Sequence, residues 1–113
     1  MSFNFNYYKR YEKQIILKKI GIKGQKKIFN SKVLIIGMGG LGCPLLTYLA
    51  ASGIGRIGIV DNDRVEISNL HRQTLYNIND IGKFKVDRAK KNILKFNKKI
   101  KVKSFKKKYH VKI

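Results

Sequence analysis

KVLIIGMGGLGCPLLTYLAASGIGRIGIVDNDRVEISNLHRQ, residues 32–73, is the stretch whose reading decides the fold. It opens on an apolar run, Val33 to Ile36, which breaks into glycines at 37, 39, 40 and 42. A helix-like segment follows, with Pro44 in its first turn, where a missing amide proton costs little, and with Gly53 as its stop. Leu45, Leu46, Leu49 and Ala50 are expected on its buried side. A second apolar run, Ile57 to Val60, ends in Asp61. Strand, glycine turn, helix, strand, acid is the order of a nucleotide-binding unit. Glycines permit the tight turn and let backbone amides approach phosphates, and the helix that starts there aims its positive end at the same place. Asp61 at the end of the next strand can accept hydrogen bonds from ribose hydroxyls. This much fits NAD, FAD or ATP equally.

Outward from this stretch, two short helices are expected before it. One spans residues 8–19, with Tyr8, Tyr11, Ile15 and Leu17 or Lys18 near one face, and the other spans 22–29. After it, residues 65–77 read as irregular. Residues 80–96 read as a helix with Val86, Ala89, Ile93 and Phe96 at helical spacing, and 99–105 as a third strand. The fold class is therefore α/β, a Rossmann-like β-α-β-α-β half with a parallel sheet in strand order 3-2-1. Three segments follow: N-terminal helices over 1–31, the β-α-β-α-β unit over 32–105 and a basic tail over 106–113. The first strand lacks alternation, as expected when both sheet faces are covered. Only KKKYHVKI follows the third strand. The first strand is thus expected as an open apolar edge, and the chain reads as the front, truncated half of a larger fold.

With 113 residues, 43% of them apolar, one packed domain is feasible. The net charge of +20 invites polyanionic partners. Yet 21 of the 26 basic residues are lysine, and aromatics are not interleaved with them as a base-stacking platform requires, so no nucleic-acid role is assigned. Three of the six acids, Asp61, Asp63 and Glu66, lie within six residues, whereas Lys95 to Lys112 holds nine lysines and no acid. That run is read as a solvated strand and its exit, or as a docking surface for an acidic partner. The lone Cys43 excludes an internal disulfide and reads as a small packing residue. No stretch reaches membrane-span length and no signal-peptide core opens the chain, so the expectation is cytoplasmic with no membrane role and no protein-held metal.

The block after Asp61 separates the nucleotide options. Asp63 adds a second acid that NAD sites do not require. Asn69, Arg72 and Gln73 lie where phosphates can be reached, and Lys85 follows at the start of the third helix. Arg72 and Lys85 can hold a triphosphate and stabilise charge on a departing pyrophosphate. The pieces RYEKQI (10–15), VLIIGMGGLG (33–42), GIGRIGIVDNDRVEISNLHRQ (53–73) and IGKFKV (81–86) resemble the N-terminal half of the ThiF/MoeB/HesA family, bacterial relatives of ubiquitin-activating enzymes. The likeness runs from Arg10 to about Phe105.

That resemblance implies ATP-dependent adenylation of the C-terminal carboxylate of a ubiquitin-like sulfur-carrier protein. It places Gly37, Gly39, Gly40 and Gly42 at the nucleotide, Asp61 on the ribose with Asp63 beside it, and Ser68, Asn69, Leu70, His71 and Arg72 along the site. Arg72 and Lys85 would act on the phosphates. Lys13, standing where the family usually has arginine, would reach into the partner subunit's site of a homodimer or heterodimer; lysine keeps the charge but loses the bidentate fork. Mg2+ accompanies ATP in the family, but its usual carboxylate ligand falls beyond the third strand. Two other readings stand beside this one: a non-catalytic or remnant subunit that pairs with a fuller family member, and an NAD- or FAD-dependent oxidoreductase fragment.

Overall fold

The computed structural model describes residues 4–108. Three parallel strands, β1 (Lys32–Ile36), β2 (Arg56–Val60) and β3 (Lys101–Phe105), form one sheet in the order β1-β2-β3. Their register aligns Lys32 with Arg56 and Arg56 with Lys101, and at the other end Ile36 with Val60 and Val60 with Phe105. The crossovers are α4 (Gly42–Ser52) and α5 (Lys85–Phe96). This is the Rossmann-like half expected from residues 32–105. The tail beyond Lys108 lies outside the described residues.

Both crossover helices pack on one face of the sheet. Ile35, Ile57, Ile59 and Val102 meet Cys43, Leu46 and Ala50 of α4 and Val86, Ala89 and Ile93 of α5, all buried in one cluster. The buried stripe of α4 differs from the expected one. Cys43, Leu46 and Ala50 point inward, while Leu45 is about half exposed, because the helix axis turns its 43–46–50 row towards α5 and the sheet. Phe96 is likewise half exposed, with the Arg10 guanidinium 5.6 Å above its ring.

The expectation of two covered sheet faces fails among the described residues. Leu34 and Ile36 are 57% and 50% exposed while Ile35 is 3% exposed. Alternation is thus present in the burial of β1 although absent from its composition. Two successive crossovers of one hand place their helices on the same side, so the even-numbered side chains of β1 have no helix over them.

Three short helices, not two, precede the sheet: α1 (Phe5–Arg10), α2 (Glu12–Ile15) and α3 (Gly21–Phe29). The chain bends at Tyr11 and turns again over 16–20. This buries Tyr7, Tyr11 and Ile15 together against Phe29, whereas Tyr8 is only partly buried and Leu17 is exposed. The group sits at the C-terminal end of α4. The Tyr7 hydroxyl donates to the Gly53 carbonyl (2.9 Å), and Gln14 Nε2 and Gln25 Nε2 both donate to the Ser52 carbonyl (3.0 and 2.9 Å). These bonds satisfy helix-end carbonyls that have no partner within the helix.

The helix α5 begins five residues later than expected. Gly82 takes φ +84°, and Asp80 ends a short 3-10 turn over Ile78–Asp80. The Asp80 carboxylate is fully buried, where it accepts from Arg88 Nε, from Asn92 Nδ2 (2.9 Å) and from the Asn77 backbone N–H (2.9 Å). Burial pushes its pKa up, but those three bonds and the Arg88 charge together bring it below the ordinary carboxylate value. No helix among the described residues is long and apolar enough to cross a membrane.

Candidate nucleotide site

The turn that leaves β1 forms the floor of the site. Gly37 has φ +93°, a conformation that side chains oppose, and its N–H donates to the Val60 carbonyl at 2.7 Å. Gly42 allows α4 to start directly against that turn: a Cβ there would lie 1.9 Å from the Gly37 carbonyl oxygen. These two glycines are required by backbone geometry, which leaves Gly39, partly exposed, and Gly40, exposed, as the crest.

Asp61 does more than end β2. Its Oδ2 accepts from the Met38 N–H (2.7 Å) and its Oδ1 from the Asp63 N–H (2.8 Å). The carboxylate therefore straps the glycine turn to the start of the next loop, and each oxygen retains a further lone pair. The Met38 carbonyl is held from the other side by the buried Tyr76 hydroxyl (2.7 Å) and the Cys43 thiol (3.2 Å). Burial pushes the pKa of both Cys43 and Tyr76 up, so each is held as a neutral donor, with the nearby Lys85 charge a smaller opposing effect on Cys43.

The segment after Asp63 folds back over the crest. Ile67–Asn69 makes a 3-10 turn capped reciprocally by Glu66 and Asn69, and Leu70 packs on the main core. This fold-back lays Arg72 and Gln73 on consecutive glycines. Arg72 Nε is 3.7 Å from where a Cβ on Gly40 would stand, and Gln73 Nε2 is 3.7 Å from the same position on Gly39. Arg72 is exposed, anchored by Nη1 on the Ser68 carbonyl at 3.3 Å. Gln73 is 2% exposed, and its Oε1 finds no hydrogen-bond partner among the described residues.

Lys85 opens α5, and its N–H donates to the Asp63 carbonyl at 3.0 Å. Its side chain is buried, with no ion pair among the described residues. The backbone bond sets the start of α5 beside Asp63, at the same end of the sheet as the glycine turn.

The structure thus brings Gly37, Gly39, Gly40, Gly42, Asp61, Asp63, Arg72 and Lys85 to the C-terminal ends of β1 and β2. Ser68 contributes its carbonyl, Asn69 spends its side-chain oxygen on the turn cap (3.1 Å from the Glu66 N–H), and His71 is exposed. Lys13 is not part of this group. It is exposed on α2, whose neighbour Gln14 binds the C-terminal end of α4, so the length of α4, about 16 Å, separates it from the turn. No three His, Cys, Asp or Glu side chains converge as a metal would need among the described residues. Sequence reasoning missed Tyr76 and the strap from Asp61 to Met38. A tyrosine in an irregular segment was the available signal, since a buried hydroxyl must find a partner.

A ThiF family model matches residues 11–112. The adenylyltransferase and sulfurtransferase UBA4 of Scheffersomyces stipitis is 53% identical over 105 residues, covering 92% of this chain and 24% of the relative. Among solved structures, PaaA superposes with a TM-score of 0.87 at 37% identity, over 96% of this chain and 36% of its own. E. coli MccB solved with ATP gives a TM-score of 0.80 at 38% identity, over 93% and 32%. The chain spans about a quarter of the length of the curated relative it matches.

Proposed function

The chain belongs to the ThiF family, and on that premise we propose that it supplies the ATP-binding part of an adenylyltransferase acting on the C-terminal carboxylate of a ubiquitin-like sulfur-carrier protein. The observation that carries this reading is Arg72, laid over Gly40, with Lys85 held beside Asp63 at the same end of the sheet. Two cations converging on an open glycine crest suit a triphosphate better than the single pyrophosphate bridge of NAD.

In this reading the carrier carboxylate attacks the α-phosphorus of ATP, the bond to the β-phosphate oxygen breaks, and an acyl-adenylate and pyrophosphate result. Amides of the Gly39–Gly42 crest cradle phosphate oxygens, aided by the N-terminal end of α4. The spare lone pairs of Asp61 accept the ribose hydroxyls, with Asp63 alongside. Arg72 and Lys85 stabilise the charge that builds on the leaving pyrophosphate, worth several kcal/mol when such donors are preorganised, on the order of 2.7–4 kcal/mol for one donor. Residues 68–71 wall the site. Mg2+ would neutralise part of the triphosphate charge, held mainly by phosphate oxygens and water. Lys13, remote from this chain's own turn, acts in a partner's site, which makes a homodimer or heterodimer part of the proposal, as is a cytoplasmic location.

Calorimetric titration with ATP, AMP and NAD tests the nucleotide assignment, and carrier-dependent ATP–pyrophosphate exchange, with a fuller family member co-expressed, tests the activity. ATP is expected to bind more tightly than NAD. Tighter NAD binding would overturn the reading in favour of an oxidoreductase fragment.

A further inference from the structure

At the opposite end of the sheet from the nucleotide site, the first residue of every strand is a cation. Lys32, Arg56 and Lys101 are register partners on three adjacent strands, and all three are exposed. Neighbouring strands lie about 4.8 Å apart, so three positive charges issue from a row about 10 Å wide. Like charges directly opposite one another are destabilising. The row borders a cavity of about 290 Å³ closed by Phe29, Asn30 and Gly55. Lys101 also borders a second cavity of about 470 Å³, which adds Arg10, Lys98 and Lys99. Six cations therefore line these two cavities, which share Lys101 as a border and are taken together as one groove.

No carboxylate among the described residues pairs with them. All six Asp and Glu side chains of the sequence lie among the described residues. Asp61, Asp63 and Glu66 are at the other end of the strands, Asp80 is buried on Arg88, Glu12 pairs with Lys9 and Asp87 with Lys106. The C-termini of α3, α4 and α5 face this end, and at roughly half a negative charge each they offset only about a quarter of the six.

We propose that this groove is a docking site for an acidic, extended segment of a partner protein. The two lobes meeting at Lys101 make it longer than a single compact anion needs. Tyr7 and Tyr11 at its wall are turned inward, 6% and 3% exposed, and Phe29 is partly covered by packing on Tyr7, so no run of exposed rings offers bases a stacking platform there. All six side chains are exposed and flexible-stemmed, and Arg10 is held by the Phe96 carbonyl and ring and by no carboxylate among the described residues. That is the chemistry of electrostatic steering and weak docking, not of a desolvated small-ligand pocket. The site is independent of the nucleotide assignment.

A fluorescein-labelled peptide of about eight glutamates, about 26 Å long when extended, is the probe, and anisotropy titration of the full chain measures its binding. Replacing the row together (Lys32→Gln, Arg56→Gln, Lys101→Gln) is expected to weaken the peptide about tenfold or more, because three of six contacts vanish. A matched variant with three exposed lysines removed elsewhere (Lys83→Gln, Lys91→Gln, Lys107→Gln) removes the same net charge and is expected to weaken it less than about twofold, since screening limits distant charges. ATP affinity, measured on the same samples, is expected to be unchanged in both. Equal weakening by the two variants would overturn the proposal, reducing it to net charge. So would tripolyphosphate or an oligothymidylate of similar charge binding more tightly than the peptide and losing affinity on the row variant, which would reassign the groove to small phosphates or to nucleic acid.

Discussion

Replacing Asp61 tests whether one carboxylate both shapes the site and binds ligand. In Asp61→Ala, the Met38 and Asp63 N–H groups, now 2.7 and 2.8 Å from carboxylate oxygens, lose their acceptors. A hydrogen bond to a charged group contributes about 1.5–3 kcal/mol, and loss of two would cost up to about 6 kcal/mol if both donors were left dry. Asp61 is only partly buried, and water can reach the vacated space, so about 2 kcal/mol is the expected loss. For a domain of this size that corresponds to a fall in Tm of roughly 10 °C. Asp61→Asn keeps one acceptor oxygen but turns an amino group towards the second N–H, so it should lose about half as much. Thermal and urea unfolding of the three proteins, read beside calorimetric binding of AMP and ATP, separate the two roles. Both nucleotides should weaken alike, because the ribose is common to them. An Asp61→Ala chain that unfolds within about 2 °C of the parent while losing nucleotide binding would refute the strap, leaving Asp61 as a ligand contact only.

Three further outcomes follow from the same geometry. Arg72→Ala should weaken ATP far more than AMP in calorimetry, since the side chain overlies the Gly40 crest, and equal losses would remove it from the phosphates. Gly42→Ala should destabilise the fold by about 1–3 kcal/mol in urea titration and disturb nucleotide binding, because its Cβ would meet the Gly37 carbonyl oxygen at 1.9 Å. Asp80, whose pKa is held below its ordinary value, contributes stability that is complete above the unfolded pKa and is lost as pH falls through the folded one. Unfolding measured from neutral to strongly acid pH should therefore show an acid-side decline that is shallower in Asp80→Asn, whose own stability is lower at neutral pH.

The local grammar of this chain is legible in one dimension. A glycine turn, its following helix and an acid at the end of the next strand are set by near-neighbour backbone requirements, such as the positive φ at Gly37 and Gly53, and so are carried by short stretches of sequence. The residues of the proposed nucleotide site, among them Gly40, Asp61, Arg72 and Lys85, are singled out by such stretches, and the fold sets them at one end of the sheet. What needed tertiary structure was everything fixed by contacts between distant segments. The half exposure of Leu45, expected on the buried side with Leu46, depends on which side α5 approaches. The late start of α5 depends on Asp80 reaching Arg88 and Asn92 instead of capping its own helix. The exposure of Leu34 and Ile36 depends on both crossovers falling on one face, which an unalternating apolar run cannot reveal. The cationic row at Lys32, Arg56 and Lys101 is spread over 70 positions and becomes a single feature only because parallel register sets the three strands side by side. Sequence determines what each residue can do, whereas the sheet determines which residues do it together.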